Sequence, residues 1–264
     1  MAAPASLAEG ARPAANPAQR GFGHVTTWIF DLDNTLYPAE CDLFAQVDTR
    51  MSSFIARYLD VHYDDARYLQ KHYYRQYGTT LSGLMHVHDM DPKAFLDYVH
   101  DIDLSPVPES PRLSAAIERL PGRKLIFTNG TVRHAERVAA KLGVLHHFEG
   151  IFDIVGCDYV PKPHAPAYAK FLHAHGVEPM SAAMFEDMPH NLEQPHALGM
   201  ATVLVKSSYF DHPIQHEIAA WRQPPAHIHH VTEDLLGFLE GVGSMPKGVV
   251  ASCQPRAGNN AGPV

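Results

Sequence analysis

The sequence predicts an α/β fold: a Rossmann-like, doubly wound parallel sheet carrying an inserted all-helical cap. Three observations carry this expectation. From Lys124 to Val205, short apolar runs alternate with amphipathic stretches across short connections, the pattern of parallel strands with helices on both faces. A separate apolar run, Val25 to Phe30, precedes them. Between the two, from Leu36 to about Leu104, apolar residues recur at helical spacing and no strand pattern occurs.

Each element has its own signal. Val25 to Phe30 is apolar without alternation, as expected of a strand buried on both faces. Cys41 to Leu59 places Leu43, Phe44, Val47, Met51, Phe54, Ile55, Tyr58 and Leu59 three and four apart, which predicts an amphipathic helix. Asp65 to Tyr77 reads as a second helix stopped by Gly78, and Thr79 or Thr80 can cap a third. Asp91-Pro92 starts a fourth, with proline in the first turn. The prolines between Ser105 and Pro111 break the helical pattern and mark the return to the main domain.

Arg112 to Leu120 then reads as a short helix, Lys124 to Thr128 as a strand and His134 to Leu142 as a helix. Ile151 to Val155 is a strand, Pro166 to His175 a helix, Ala182 to Glu186 a strand, Pro189 to Leu198 a helix and Ala201 to Val205 a strand. Thr232 to Leu239 closes the fold as a helix. The expected organisation is a disordered leader over residues 1–23, a catalytic core over 24–36 and 106–240, a cap over 37–105 and a flexible tail over 241–264.

Composition narrows the classes. The net charge of −8 argues against a nucleic-acid partner, which needs a basic face to neutralise phosphates. No apolar run approaches the roughly 20 residues of a membrane span. The start of the chain, rich in Ala and Pro, lacks the charged and apolar regions of a signal peptide. Cys41, Cys157 and Cys253 form neither a CxxC pair nor an even disulfide framework, which suits the reducing cytoplasm.

Polar residues gather just past successive strands: Asp31 and Asp33, then Thr128, Asn129 and Gly130, then Lys162, then Glu186 and Asp187. In an open parallel sheet these positions converge on one crevice. Singly, each group reads more simply as a turn, a helix cap or a solvated loop residue. In this order they suit phosphoryl transfer. Two carboxylates so close call for a cation between them, Mg²⁺ by their hard oxygen donors. Asp31 would be the nucleophile and form an aspartyl-phosphate. Asp33 would protonate the leaving oxygen and later take a proton from water. Thr128 and nearby N–H groups would hold phosphate oxygens, and Lys162 would neutralise the crowded charge. Asp187, with Glu186, would complete a metal shell begun by Asp31 and the Asp33 carbonyl.

This set resembles the haloacid dehalogenase superfamily of phosphatases. Asp31-x-Asp33-x-Thr35, Thr128-Asn129, Lys162-Pro163 and Glu186-Asp187 match its four motifs over roughly residues 24 to 206. The resemblance implies the same roles, the same core and a helical cap between the first two motifs. It also implies a phosphatase, since the dehalogenating relatives lack the acid at Asp33. Many relatives carry a further acid where this chain has Asn191, which implies altered Mg²⁺ affinity.

Within the cap, Leu36-Tyr37-Pro38, the Tyr77 to Met85 segment and Tyr98 to Asp103 resemble the pyrimidine 5′-nucleotidase subfamily. That implies hydrolysis of UMP or CMP, with Phe44, Thr79 and Thr80 as substrate candidates in the cap. The alternatives are another small ester, a sugar phosphate or phosphoglycolate, and a non-catalytic phosphometabolite sensor. Tyr63, Tyr68, Tyr73 and Tyr74 are expected to pack between cap helices. The clustered histidines, His86/His88, His146/His147 and His227/His229/His230, lack zinc spacing and are expected to be solvated or capping.

Overall fold

The computed structural model describes residues 21–206 and 213–243. After strand β1 (Thr27–Phe30) come four helices, α1 (Leu43–Leu59), α2 (Tyr63–Tyr77), α3 (Thr80–His88) and α4 (Pro92–Val99). The chain continues through α5 (Pro111–Arg119), β2 (Arg123–Phe127), α6 (Val132–Leu142), β3 (Gly150–Phe152) and α7 (Ala165–His175). It ends with β4 (Ala182–Glu186), α8 (Glu193–Ala197), β5 (Ala201–Val205), α9 (Pro213–Ala220), β6 (His230–Thr232) and α10 (Leu235–Gly243).

The strands form one parallel sheet in the order β3-β2-β1-β4-β5-β6. β1 lies between β2 and β4, so the sheet grows outward from it in both directions. Its carboxyl end is therefore the switch point where such folds open a crevice. Strand alternation sorts the core into two layers. Trp28, Phe30, Ile126, Phe185 and Val203 face a cluster that includes Leu113 and Ile117 of α5, Val138 of α6 and Leu239 of α10. Ile29, Leu125, Phe127, Met184 and Leu204 face Tyr168 and Phe171 of α7 and Ile218 of α9. All four residues of β1 are buried. The one polar atom its side chains bring in from an aromatic ring, Trp28 Nε1, donates to the Pro121 carbonyl at 2.7 Å.

Helices α1 to α4 pack on one another, α1 against α2 and α4, and α2 against α3. Thr79 caps α3, its hydroxyl accepting from Ser82 N at 3.0 Å, and Asp91 caps α4 ahead of Pro92. Gly83 lets α2 and α3 meet closely, since a Cβ there would lie 2.4 Å from Tyr73 Cβ.

Several boundaries differ from the expectation. Phe22, assigned to the leader, sits in a short 3-10 turn (Phe22–His24), is buried and stacks on Trp28 at 5.7 Å. Residues 1–20, most of the expected leader, lie outside the described residues, as do 244–264 of the expected tail; α10 itself runs to Gly243. β3 stops at Phe152 because Asp153 turns the chain, its carboxylate accepting from Val132 N and Gly156 N at 2.9 Å each. The helix expected over Pro189 to Leu198 divides into a 3-10 turn (Pro189–Leu192) and α8. β6 escaped the sequence reading, being three residues long with Val231 exposed at the sheet's edge.

Tyr63 and Tyr68 are exposed rather than packed between helices, and only Tyr73 of that group is buried. The histidine clusters act locally. His88 bonds the Tyr73 hydroxyl at 2.6 Å, His147 the Ser114 hydroxyl at 2.7 Å, and His229 Nδ1 accepts from Thr202 N at 3.1 Å. No helix among the described residues is long and apolar enough to cross a membrane.

Candidate active site

β1 delivers Asp31 to the crevice. The ladder continues one step past Phe30, with Asp31 N donating to Phe185 O at 2.9 Å. The chain then turns, Thr35 N and Leu36 N both donating to Leu32 O, and Asn34 takes a left-handed φ of 59° that Asn tolerates. Asp33 thus lies in this turn, past the end of β1, rather than on an extended strand. The same turn brings the Tyr37 hydroxyl back to donate to Asp33 Oδ1 at 2.6 Å.

Lys162 lies at the centre of the site. Its ammonium donates to Asp31 Oδ1 at 2.7 Å, Glu186 Oε1 at 2.6 Å and Phe127 O at 2.8 Å, which uses all three N–H groups. Asn129 fixes the Lys162 backbone from both sides, its Oδ1 accepting from Lys162 N at 2.8 Å and its Nδ2 donating to Lys162 O at 3.2 Å. The Asn129 side chain, expected to bind substrate, is thereby committed to the lysine. Thr128 is buried, and its hydroxyl oxygen accepts from Gly130 N at 2.9 Å.

Glu186 is fully buried and held through both of its oxygens. Oε1 accepts from Lys162 and from Asn191 Nδ2 at 2.7 Å, and Oε2 accepts from Met188 N at 2.9 Å. Asn191 therefore holds Glu186 and reaches Lys162 only through it. Asp31, Glu186 and Asp187 offer oxygens within 4.8 Å of one another, all three buried. Three buried carboxylates against one ammonium leave excess negative charge. Burial and the charges of Glu186 and Asp33 push Asp31 up to about 7, with Lys162 opposing. Burial, Glu186 and Asp31 push Asp187 well above the usual carboxylate range. Burial would lower Lys162, but Asp31 and Glu186 outweigh it and raise it. Asn191 Oδ1 and Thr35 Oγ1 are buried with no partner among the described residues. An oxygen-only donor set with surplus charge and orphaned oxygens nearby fits a hard divalent cation.

Asp33 has the opposite environment. Burial would raise it, but the charge interaction with His134 and the hydrogen bonds from His134 and Tyr37 hold it at about 2. His134 Nε2 lies 2.9 Å from Asp33 Oδ1. Tyr37, His134, His100 and Tyr74 were not among the expected site residues. Burial and the charges of Asp187 and Glu186 push Tyr74 to about 12, so this α2 phenol lies within electrostatic reach of the acids. A lone buried histidine near a helix start gives a sequence no signal of its partner. Tyr37 carried more, as part of the Leu36-Tyr37-Pro38 segment.

The expected cap candidates lie on α1, which carries Phe44, and at the start of α3, which carries Thr79 and Thr80. Thr79 caps α3, the Thr80 hydroxyl donates to Gln70 O at 3.3 Å inside the cap, and Phe44 is half-buried against the larger core cluster.

Comparison with known proteins agrees with this fold. The chain is 27% identical over 210 residues to phosphate metabolism protein 8 of Saccharomyces cerevisiae, covering 73% of this chain and 63% of that protein's length. Among solved structures, a HAD phosphatase from Thermococcus onnurineus matches with a TM-score of 0.55 at 16% identity, over 83% of this chain and 97% of that one. An L-2-haloacid dehalogenase from Xanthobacter autotrophicus matches with a TM-score of 0.52 at 14% identity, over 84% and 100%. A family model described as haloacid dehalogenase-like hydrolase matches residues 25–194. The chain belongs to the haloacid dehalogenase-like hydrolase family.

Proposed function

We propose that this hydrolase is a phosphomonoesterase acting on pyrimidine nucleoside 5′-monophosphates, UMP or CMP, to release nucleoside and phosphate. The observation that carries phosphoryl chemistry is the buried group at the end of β1 and β4: Asp31 bonded to Lys162, with Asp187 beside them and an anchored second carboxylate, Asp33. The pyrimidine assignment rests on the cap segments quoted above.

In the first step an Asp31 carboxylate oxygen attacks phosphorus, the bond from phosphorus to the ester oxygen breaks, and Asp33 gives that oxygen a proton. In the second, water attacks the aspartyl-phosphate, the bond to Asp31 breaks, and Asp33 takes the proton from water. Asp33 is ionised in the free protein, and it takes up from water the proton it then gives, as the charge of an arriving phosphate raises its proton affinity. Thr128 and the Thr131 N–H at the start of α6 hold phosphate oxygens, the Gly130 N–H being taken by the Thr128 hydroxyl. Lys162 keeps Asp31 in line.

Mg²⁺ is the cation we assign to Asp31, Asp187 and the Asp33 carbonyl, where it supplies charge stabilisation for the phosphoryl group. Glu186 borders that site and chiefly secures Lys162. The free thiols of Cys41 and Cys157 accord with a cytoplasmic setting.

The test is phosphate release with Mg²⁺ across UMP, CMP, dUMP, AMP, GMP, phosphoglycolate and sugar phosphates, with Asp31→Asn as control. Preference for UMP and CMP, lost in the control, supports the assignment. Preference for a sugar phosphate keeps the chemistry and removes the nucleotide, and absence of any turnover by folded protein removes both.

A further inference from the structure

Asp33 is held by one oxygen. Oδ1 accepts from Tyr37 at 2.6 Å and from His134 Nε2 at 2.9 Å, so its partner oxygen, Oδ2, is left to exchange a proton with an ester oxygen or a water. His134 sits in the first turn of α6, is 1% exposed, and its other nitrogen, Nδ1, has no partner among the described residues. Its hydrogen bonding thus points in one direction, at Asp33.

The cap covers this histidine. His100, the residue that ends α4, stacks on the His134 ring with centroids 4.5 Å apart and planes 14° from parallel. His100 Nδ1 lies 3.3 Å from the Thr131 hydroxyl, at the cap of α6. One turn along the same helix, Arg137 donates to His100 O at 2.9 Å and Ile102 O at 3.1 Å. The segment by which the cap returns to the core is therefore fastened to α6, and its imidazole presses on the imidazole that anchors Asp33. Glycine at 130 leaves room for the pair, since a Cβ there would stand 3.3 Å from His134 Cδ2 and 3.6 Å from His100 Nε2.

We infer that His134 is a positioning residue for Asp33, and that the His100 stack couples its placement to cap closure. With the cap seated, His100 confines the His134 ring so that Nε2 meets Oδ1 and Oδ2 faces the reacting oxygen. With the cap lifted, the stack is lost and Asp33 is less well aimed. This inference rests on the phosphatase reading, because it assigns Asp33 the acid's part.

The test compares two esters in the Mg²⁺-loaded protein, UMP, an alkyl ester whose leaving oxygen needs a proton, and p-nitrophenyl phosphate, whose leaving oxygen barely does. His134→Leu fills the space without a donor and should lower kcat/KM for the alkyl ester by about 10²-fold, the scale of general-acid catalysis, but for p-nitrophenyl phosphate by less than about tenfold. His134→Gln restores an N–H near the Nε2 position and should recover most of the loss. His100→Ala should show the same leaving-group bias more weakly, and His100→Phe, which keeps the stack, should remove it. The His100 pair decides the question if His134→Leu does not fold.

Equal losses on both esters without rescue by Gln, or no loss in any variant, overturn the inference while a wild type active on both keeps the phosphatase reading. A wild type inactive on both esters overturns the reading and the inference together.

Discussion

The acid cluster makes cation binding measurable as pH-dependent stability. Asp31 is 7% exposed, and burial with its acidic neighbours raises it from 3.8 to about 7. The unfolded chain releases this proton near 3.8 and the folded chain only near 7, so the unfolded state binds fewer protons in between. Metal-free stability therefore falls as pH rises from about 4 to about 7. At about 1.4 kcal/mol per pH unit, the full penalty from Asp31 is about 4 kcal/mol above that window.

Mg²⁺ competes with the proton for the same oxygens. At about pH 8 and about 100-fold above its Kd, it should stabilise by about 2.7 kcal/mol. For a chain of this size that is a rise in Tm of about 5–10 °C. At about pH 5.5, roughly 1.5 pH units below the Asp31 pKa, apparent affinity falls about 30-fold. The same Mg²⁺ then contributes about 0.8 kcal/mol, or about 2–3 °C. Differential scanning fluorimetry with and without Mg²⁺ at both pH values measures this directly. Asp187→Asn should remove most of the gain and make the metal-free protein more stable at the higher pH. Equal gains at the two pH values, or no gain at either, would refute the assignment of a cation to these acids.

Lys162→Met removes the cation shared by Asp31 and Glu186, and leaving buried acids uncompensated should cost about 3–5 kcal/mol in urea denaturation at about pH 8, with less loss in mild acid where they protonate. Asn191→Asp replaces the donor 2.7 Å from Glu186 Oε1 with a like charge; metal-free stability should fall by about 1–3 kcal/mol, and Mg²⁺ should recover part of it. Unchanged stability in that variant counts against the role of Asn191 as the holder of Glu186. Gly83→Ala overpacks α2 against α3, and should cost about 1–3 kcal/mol while speeding hydrogen exchange in those two helices more than in the sheet.

Long apolar runs and helical spacing were legible in the sequence, whereas the three-residue β6 and the bond from Tyr37 to Asp33, four residues away, were not. The apolar runs at Thr27–Phe30, Ala182–Glu186 and Ala201–Val205 are strands buried at every position, because a segment covered on both faces needs no polar alternation. Chain direction then sets where polar residues fall. Asp31, Thr128 and Asp187 each follow a strand, so a parallel sheet brings them to one edge, and the placing of β1 between β2 and β4 makes them neighbours there. Helical spacing likewise marked the four-helix insert.

Tertiary structure decided the partners. Lys162 meets Asp31 across 131 residues and His134 meets Asp33 across 101, contacts fixed by placing β1 between β2 and β4 and by the start angle of α6. It also gave similar residues different roles. Asn129 holds a backbone, Thr80 bonds within the cap, and Tyr73 is buried while Tyr68 faces solvent. Periodicity records which face of an element is apolar. The partner of a buried polar atom depends on how several such faces are stacked, and that follows only from the packed whole.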